Sequence, residues 1–148
     1  MYSRFLATRS AAYLTLLCLG SVACETEAWS QGEKENAGHF VQALSHSLQA
    51  IRIRNTSGSG IITDAELREI IRLNRAALHE AALVRDDVLD KIHPELRRYF
   101  KEDWQRGVEL VTRNLEVGDL SLEVRGQALL DRWADWYTAN RAGIRIPR

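Results

Sequence analysis

From Ala37 onward, apolar residues recur at steps of three and four, the spacing that lines side chains along one face of an α-helix. Ala37, Val41, Leu44, Leu48 and Ile51 predict a first helix over about Glu35 to Ile53. Leu67, Ile70, Ile71, Ala77, Leu78, Ala81, Val88 and Ile92 predict a second, with Asn74 and Arg85 inside its apolar stripe. Buried there, those two polar side chains need partners. Leu96, Phe100, Trp104, Gly107, Val111 and Leu115 mark a third helix. Leu122, Gly126, Leu129, Trp133, Trp136, Tyr137 and Asn140 mark a fourth, starting near Ser121.

The punctuation between these stripes agrees with them. Residues 55–60 (NTSGSG) are turn and flexibility residues. Thr63-Asp64-Ala65-Glu66 has the form of a capping box, with Ile62 and Leu67 at the staple positions around it. Pro94 pushes His93 out of the α region, then suits the first position of the next helix, where its missing N–H costs nothing. Val117-Gly118-Asp119 predicts a tight turn, and Gly143 an ending. Four amphipathic helices with short links predict an all-α fold over residues 35–148, an antiparallel up-down-up-down four-helix bundle. The rival keeps the second and third helices as one kinked rod and completes its core with a second copy.

The chain before residue 35 has a different pattern. Arg4 and Arg9 precede an apolar run over residues 11–23, which stops at Glu25 and Glu27. A bilayer-spanning helix needs about twenty apolar residues, so this run is too short to span. A basic start, an apolar centre and small residues at the end predict a secretory signal peptide over 1–23. Residues 24–34 are polar, with only Trp29 able to dock, and predict a flexible spacer. Ser21-Val22-Ala23-Cys24 resembles the lipobox of bacterial lipoproteins, with serine where leucine is usual. That resemblance implies a diacylglyceryl group on the Cys24 thiol and cleavage before it, two acyl chains sufficing for stable anchoring. Simple cleavage to a soluble periplasmic protein is the alternative. Cys18 leaves with the leader, so the mature chain has no cysteine pair and no internal disulfide.

Twenty basic residues balance twenty acidic ones, and they are scattered along the helices. Without a basic stripe, nucleic acid is not an expected partner. Loss of Arg4 and Arg9 with the leader leaves the mature chain slightly acidic.

Counting outward from Gly118 sets Gly107 level with Leu130 and Trp133, which explains a glycine there as room for a bulky neighbour. The same register brings Trp104 towards Trp133, and Phe100 towards Tyr137. Phe100, Trp104, Trp133, Trp136 and Tyr137 then gather at one pole, as an aromatic core or as a ligand or partner pocket. An exposed Trp136 favours the pocket and a buried one the core.

Catalytic chemistry is thin. His39, His46, His79 and His93 form no Glu-x-x-His pair, no zincin motif and no haem attachment site, so neither metal nor cofactor is expected. No nucleophile elbow or phosphate loop occurs. Asp103 is placed to neutralise Arg85 as a structural pair. These readings favour a non-enzymatic envelope protein that binds another envelope or exported protein, in an accessory, pilot or immunity role. A periplasmic small-ligand carrier is the second reading, and a hydrolase the third.

Overall fold

A computed structural model describes residues 28–56 and 62–147, and the elements these residues form are all helical. The leader, Cys24 and residues 57–61, which include most of the polar linker, lie outside the described residues. Helix α1 spans Gln31–Thr56, α2 Asp64–Leu83 and α3 Asp86–Ile92. Helix α4 covers 96–117, with α geometry at both ends and a π-helical segment, Tyr99–Gln105, between them. Helix α5 spans Leu120–Asn140, followed by a 3-10 turn at Arg141–Gly143. Among the described residues, five helices therefore stand where four were expected.

α1 begins at Gln31, so the last four residues of the expected spacer are helical. A capping box fixes that start. Ser30 Oγ accepts from the Glu33 amide at 3.2 Å, and Glu33 Oε2 accepts from the Ser30 amide at 2.7 Å. The same device opens α2, where Thr63 and Glu66 close both reciprocal bonds as the sequence predicts.

The expected second helix is broken by extended backbone at Val84 and Arg85. No proline or glycine marks this break. Its terminal groups are satisfied from another helix: Asn36 Nδ2 donates to the Leu83 carbonyl at 2.8 Å, and Asn36 Oδ1 accepts from the Arg85 amide at 2.8 Å. Asp86 and Asp87 then occupy the first turn of α3, where negative charge favours a helix start.

α1 lies antiparallel on α2, and α4 antiparallel on α5. The buried face of α1 is rotated one residue from the predicted stripe. Ala37, Phe40, Ala43, Ser47 and Ala50 are buried, whereas Val41 is 39 % exposed. Small side chains let α1 approach α2 closely, where Ala77 and Ala81 are also buried. The larger Leu44, Leu48 and Ile51 fill the flank, half-buried.

The core has two parts. The larger runs from Phe40 through Val88, Leu89 and Ile92 to Leu96, Phe100, Trp104, Trp133 and Tyr137. The smaller joins Ala50, Ile70 and Leu73, with Ile53, Ile62 and Leu115 packed on it. The π segment belongs to the larger one. Leu96, Phe100, Trp104 and Val108 recur every four residues, a spacing that drifts by about 40° per step in ordinary α geometry. The wider turn of a π-helix opposes that drift and keeps all four buried.

Candidate functional site

Three elements build the aromatic pole. Pro94 turns the chain between α3 and α4, the π segment then presents Tyr99, Phe100 and Trp104, and the last turns of α5 supply Trp133, Trp136 and Tyr137. Phe100 stacks on Trp104 at 4.8 Å and meets Phe40 edge-on at 5.0 Å. Trp133 contacts Phe100 at 6.1 Å, Trp136 at 5.6 Å and Tyr137 at 5.3 Å. Tyr99 stacks on the outer face of this cluster, 4.7 Å from Trp136. All five residues singled out from the sequence converge here and are buried, Trp136 at 7 % exposure and Tyr137 at 8 %. A buried Trp136 favours the core over a pocket.

Burial has two chemical consequences. The Tyr137 hydroxyl is pushed above its ordinary pKa by desolvation. Trp136 Nε1 is buried and without a hydrogen-bond partner. An unmade bond of that kind costs about 1–3 kcal/mol.

Beside Trp136 lies an open groove of about 500 Å³, lined by Asp90, Lys91, Ile92, His93, Pro94, Gly143 and Arg145. His93 packs edge-on against Trp136 at 5.3 Å, and its Nδ1 accepts from the Glu95 amide at 3.2 Å. Both ends of the described chain meet here. Lys91 Nζ donates to Glu33 at 3.0 Å and sits over the Trp29 ring at 4.7 Å. The bond from the Ser30 amide, helped by Lys91, lowers the Glu33 pKa from 4.5 to about 2. The Arg145 amide donates to the Ile92 carbonyl at 3.1 Å, and Ile144 and Ile146 pack on the core. Sequence reasoning missed this tail; its alternation of arginine and isoleucine was the available signal.

The opposite pole is the α4–α5 turn. Gly118 adopts φ 73°, the left-handed conformation expected of a glycine that ends a helix. Glu123 accepts from Arg54 at 2.8 Å and from Asn114 at 3.2 Å, tying α1, α4 and α5 together. Around this polar tie, Val117 is 63 % exposed, Leu120 52 % and Val124 71 %. They are the most exposed large apolar side chains among the described residues, and their exposure was not read from the sequence.

The charged residues are mostly paired. His39 Nδ1 lies 2.7 Å from Glu80 across α1 and α2. Arg85 pairs with Asp87, and Asp103 accepts from Arg132 at 2.7 Å, so the expected Arg85–Asp103 pair gives way to two others. The turn at Pro94 leaves Asp103 on the α5 side of α4. Among the described residues, no three His, Cys, Asp or Glu side chains are grouped to hold a metal ion, and no helix is long and apolar enough to cross a membrane. No protein-family model matches the chain, and no curated protein or solved structure matches it.

Proposed function

We propose that this is an exported bacterial protein, cut at its leader and tethered to the envelope by lipid on Cys24, whose helical domain binds a protein partner without catalysis. In this reading the helices form an up-down-up-down bundle, with α2 and α3 together serving as its second member. The domain carries no cofactor or metal and contacts no nucleic acid. The observation that carries the binding role is the exposed trio Val117, Leu120 and Val124 at the α4–α5 turn. The three lie within eight residues at one turn, and adjoining exposed apolar side chains are one mark of an association site.

The ends of the molecule support the arrangement. Trp29 is docked beside Lys91 at the aromatic pole, and the lipid would lie five residues upstream, at most ~18 Å of extended chain. That pole would face the membrane. Helix α1, 26 residues and about 39 Å long, separates it from the α4–α5 turn, which would face outward. The carrier alternative draws on the groove beside His93, but the aromatic side chains meant to hold its ligand pack on one another instead.

Two measurements test the reading. Cys24→Ser is expected to release the protein from membranes and to remove the mass of the diacylglyceryl group. Unchanged fractionation and mature mass would reject the tether. Purification of the native protein after mild crosslinking is expected to recover a stoichiometric second polypeptide; recovery of the chain alone would reject the binding role.

A further inference from the structure

The exposed trio at the turn extends along α5. Leu120, Val124 and Ala128 are all exposed and follow one another at four-residue steps, so they form a single stripe on the face opposite Gly126 and Trp133. Val117, also exposed, ends α4 three residues before Leu120. The next turn of α5 presents Asp131 and Asp135 and ends the stripe. An apolar footprint of about two turns suits another helix laid along it.

The charges beside the stripe are not balanced. Arg113, one turn before Val117, and Arg125, next to Val124, are exposed and make no ion pair among the described residues. The neighbouring acids are already engaged: Glu116 by Arg75, Glu123 by Arg54 and Asn114, and Asp119 by the Ser121 amide. Arg125 is near enough to Asp119 to help hold that carboxyl below its ordinary pKa, after the larger effect of Ser121, but neither Arg125 nor Arg113 is held in an ion pair among the described residues. What the stripe leaves is therefore apolar area flanked by two unpaired guanidinium groups.

We infer that Val117, Leu120, Val124 and Ala128 dock an amphipathic helix of a different protein, one whose apolar side chains cover the stripe and whose acidic residues reach Arg113 and Arg125. A second copy fits poorly. An antiparallel copy centred on Val124 would bring Arg125 towards its own counterpart, and like charges across a helix pair repel. This inference rests on the partner-binding reading above and names the chemistry of that partner.

The test places p-benzoylphenylalanine at Val124 in the full-length protein, within its own envelope, with the same photocrosslinker at exposed Arg68 as control. Irradiation at position 124 is expected to give one discrete adduct absent from the control. Its crosslinked peptide should map to a helical, acidic segment of another protein. Arg113→Glu with Arg125→Glu is expected to cut the adduct yield about tenfold while leaving the circular dichroism unchanged. An adduct on this chain itself, on lipid, or on a basic segment overturns the proposal, as does a yield indifferent to charge reversal or no adduct above control. If position 124 fails while the native protein still co-purifies with a partner, only the docking face is wrong.

Discussion

Gly107 of α4 and Gly126 of α5 face each other so closely that a methyl group on either would stand 3.0 Å from the other's carbonyl oxygen. The same methyl on Gly107 would lie 2.8 Å from Leu130 Cγ, and on Gly126 2.8 Å from Val111 Cγ2. The sequence places Leu130 over Gly107 correctly; the backbone-to-backbone approach is the additional finding.

Alanine at either position gains about 1 kcal/mol of helix propensity. It must also push apart two backbones that cannot rotate away, and overpacking of this kind costs about 1–3 kcal/mol. Each single variant is expected to lower the urea midpoint. Gly107→Ala with Gly126→Ala should lose less than the sum, because helices separated by the first methyl have room for the second. Strict additivity would show that the two glycines act independently.

Asn36 replaces the stop signal that α2 lacks. Asn36→Ala removes its bonds to the Leu83 carbonyl and the Arg85 amide, leaving both helix ends unsatisfied. A loss of about 1–2 kcal/mol is expected, the size of a lost helix cap. Asn36→Asp keeps the acceptor for Arg85 and should lose less. Hydrogen exchange at the Arg85 amide checks the assignment: protection there should fall in Asn36→Ala before it falls at Ile70.

These features separate what the sequence carries from what it does not. Thr63-x-x-Glu66, Pro94 and Gly118 act through their own neighbours: the capping box, the extended His93 before the proline and the left-handed Gly118 are all present, although Pro94 and Glu95 form a turn and the helix opens at Leu96. Ser30-x-x-Glu33 is equally local and was legible, but it lies in a polar stretch that reads as spacer. The break at Val84 is different in kind, since its cause sits nearly fifty residues away on α1. The apolar pattern of α1 points to Leu44, Leu48 and Ile51, yet the buried face carries the smaller Ala43, Ser47 and Ala50. Close helix approach selects the small face, and hydrophobicity alone does not reveal that. The aromatic cluster was legible through register, because α4 and α5 share one tight turn; the π segment within it was not.

The Glu33 carboxylate makes a pH-dependent contribution at the entrance to α1. Its pKa lies at about 2, against 4.5 without its partners, because the Ser30 amide and Lys91 favour the ionised form. A lowered pKa means that the folded state holds its proton less tightly than the unfolded state. The stabilisation is thus complete above about pH 4.5 and is lost as pH falls towards 2. Glu33→Gln should be less stable than the parent at pH 7, and the gap between their urea midpoints should close over that acid window. A gap constant between pH 6 and 3 would show that the ionised carboxylate does not contribute.

Asp103 and Arg132 form a pair of unequal partners, which makes their loss asymmetric. The Asp103 side chain is only 10 % exposed, while Arg132 is 59 % exposed. Arg132 donates through Nε at 3.2 Å and Nη2 at 2.7 Å, both to Asp103 Oδ1. Removing the arginine strands a nearly buried carboxylate within the π segment, and an uncompensated buried charge is costly. Removing the aspartate leaves a guanidinium that water already solvates. Arg132→Met is therefore expected to cost about 1–3 kcal/mol, and Asp103→Asn about 1 kcal/mol or less. In the double variant the arginine deletion should cost little more than Asp103→Asn alone, since no charge remains to be stranded. Urea unfolding of the four proteins gives the complete cycle. Equal costs for the two single variants would mean that solvent reaches Asp103 and that the π turn does not enclose it.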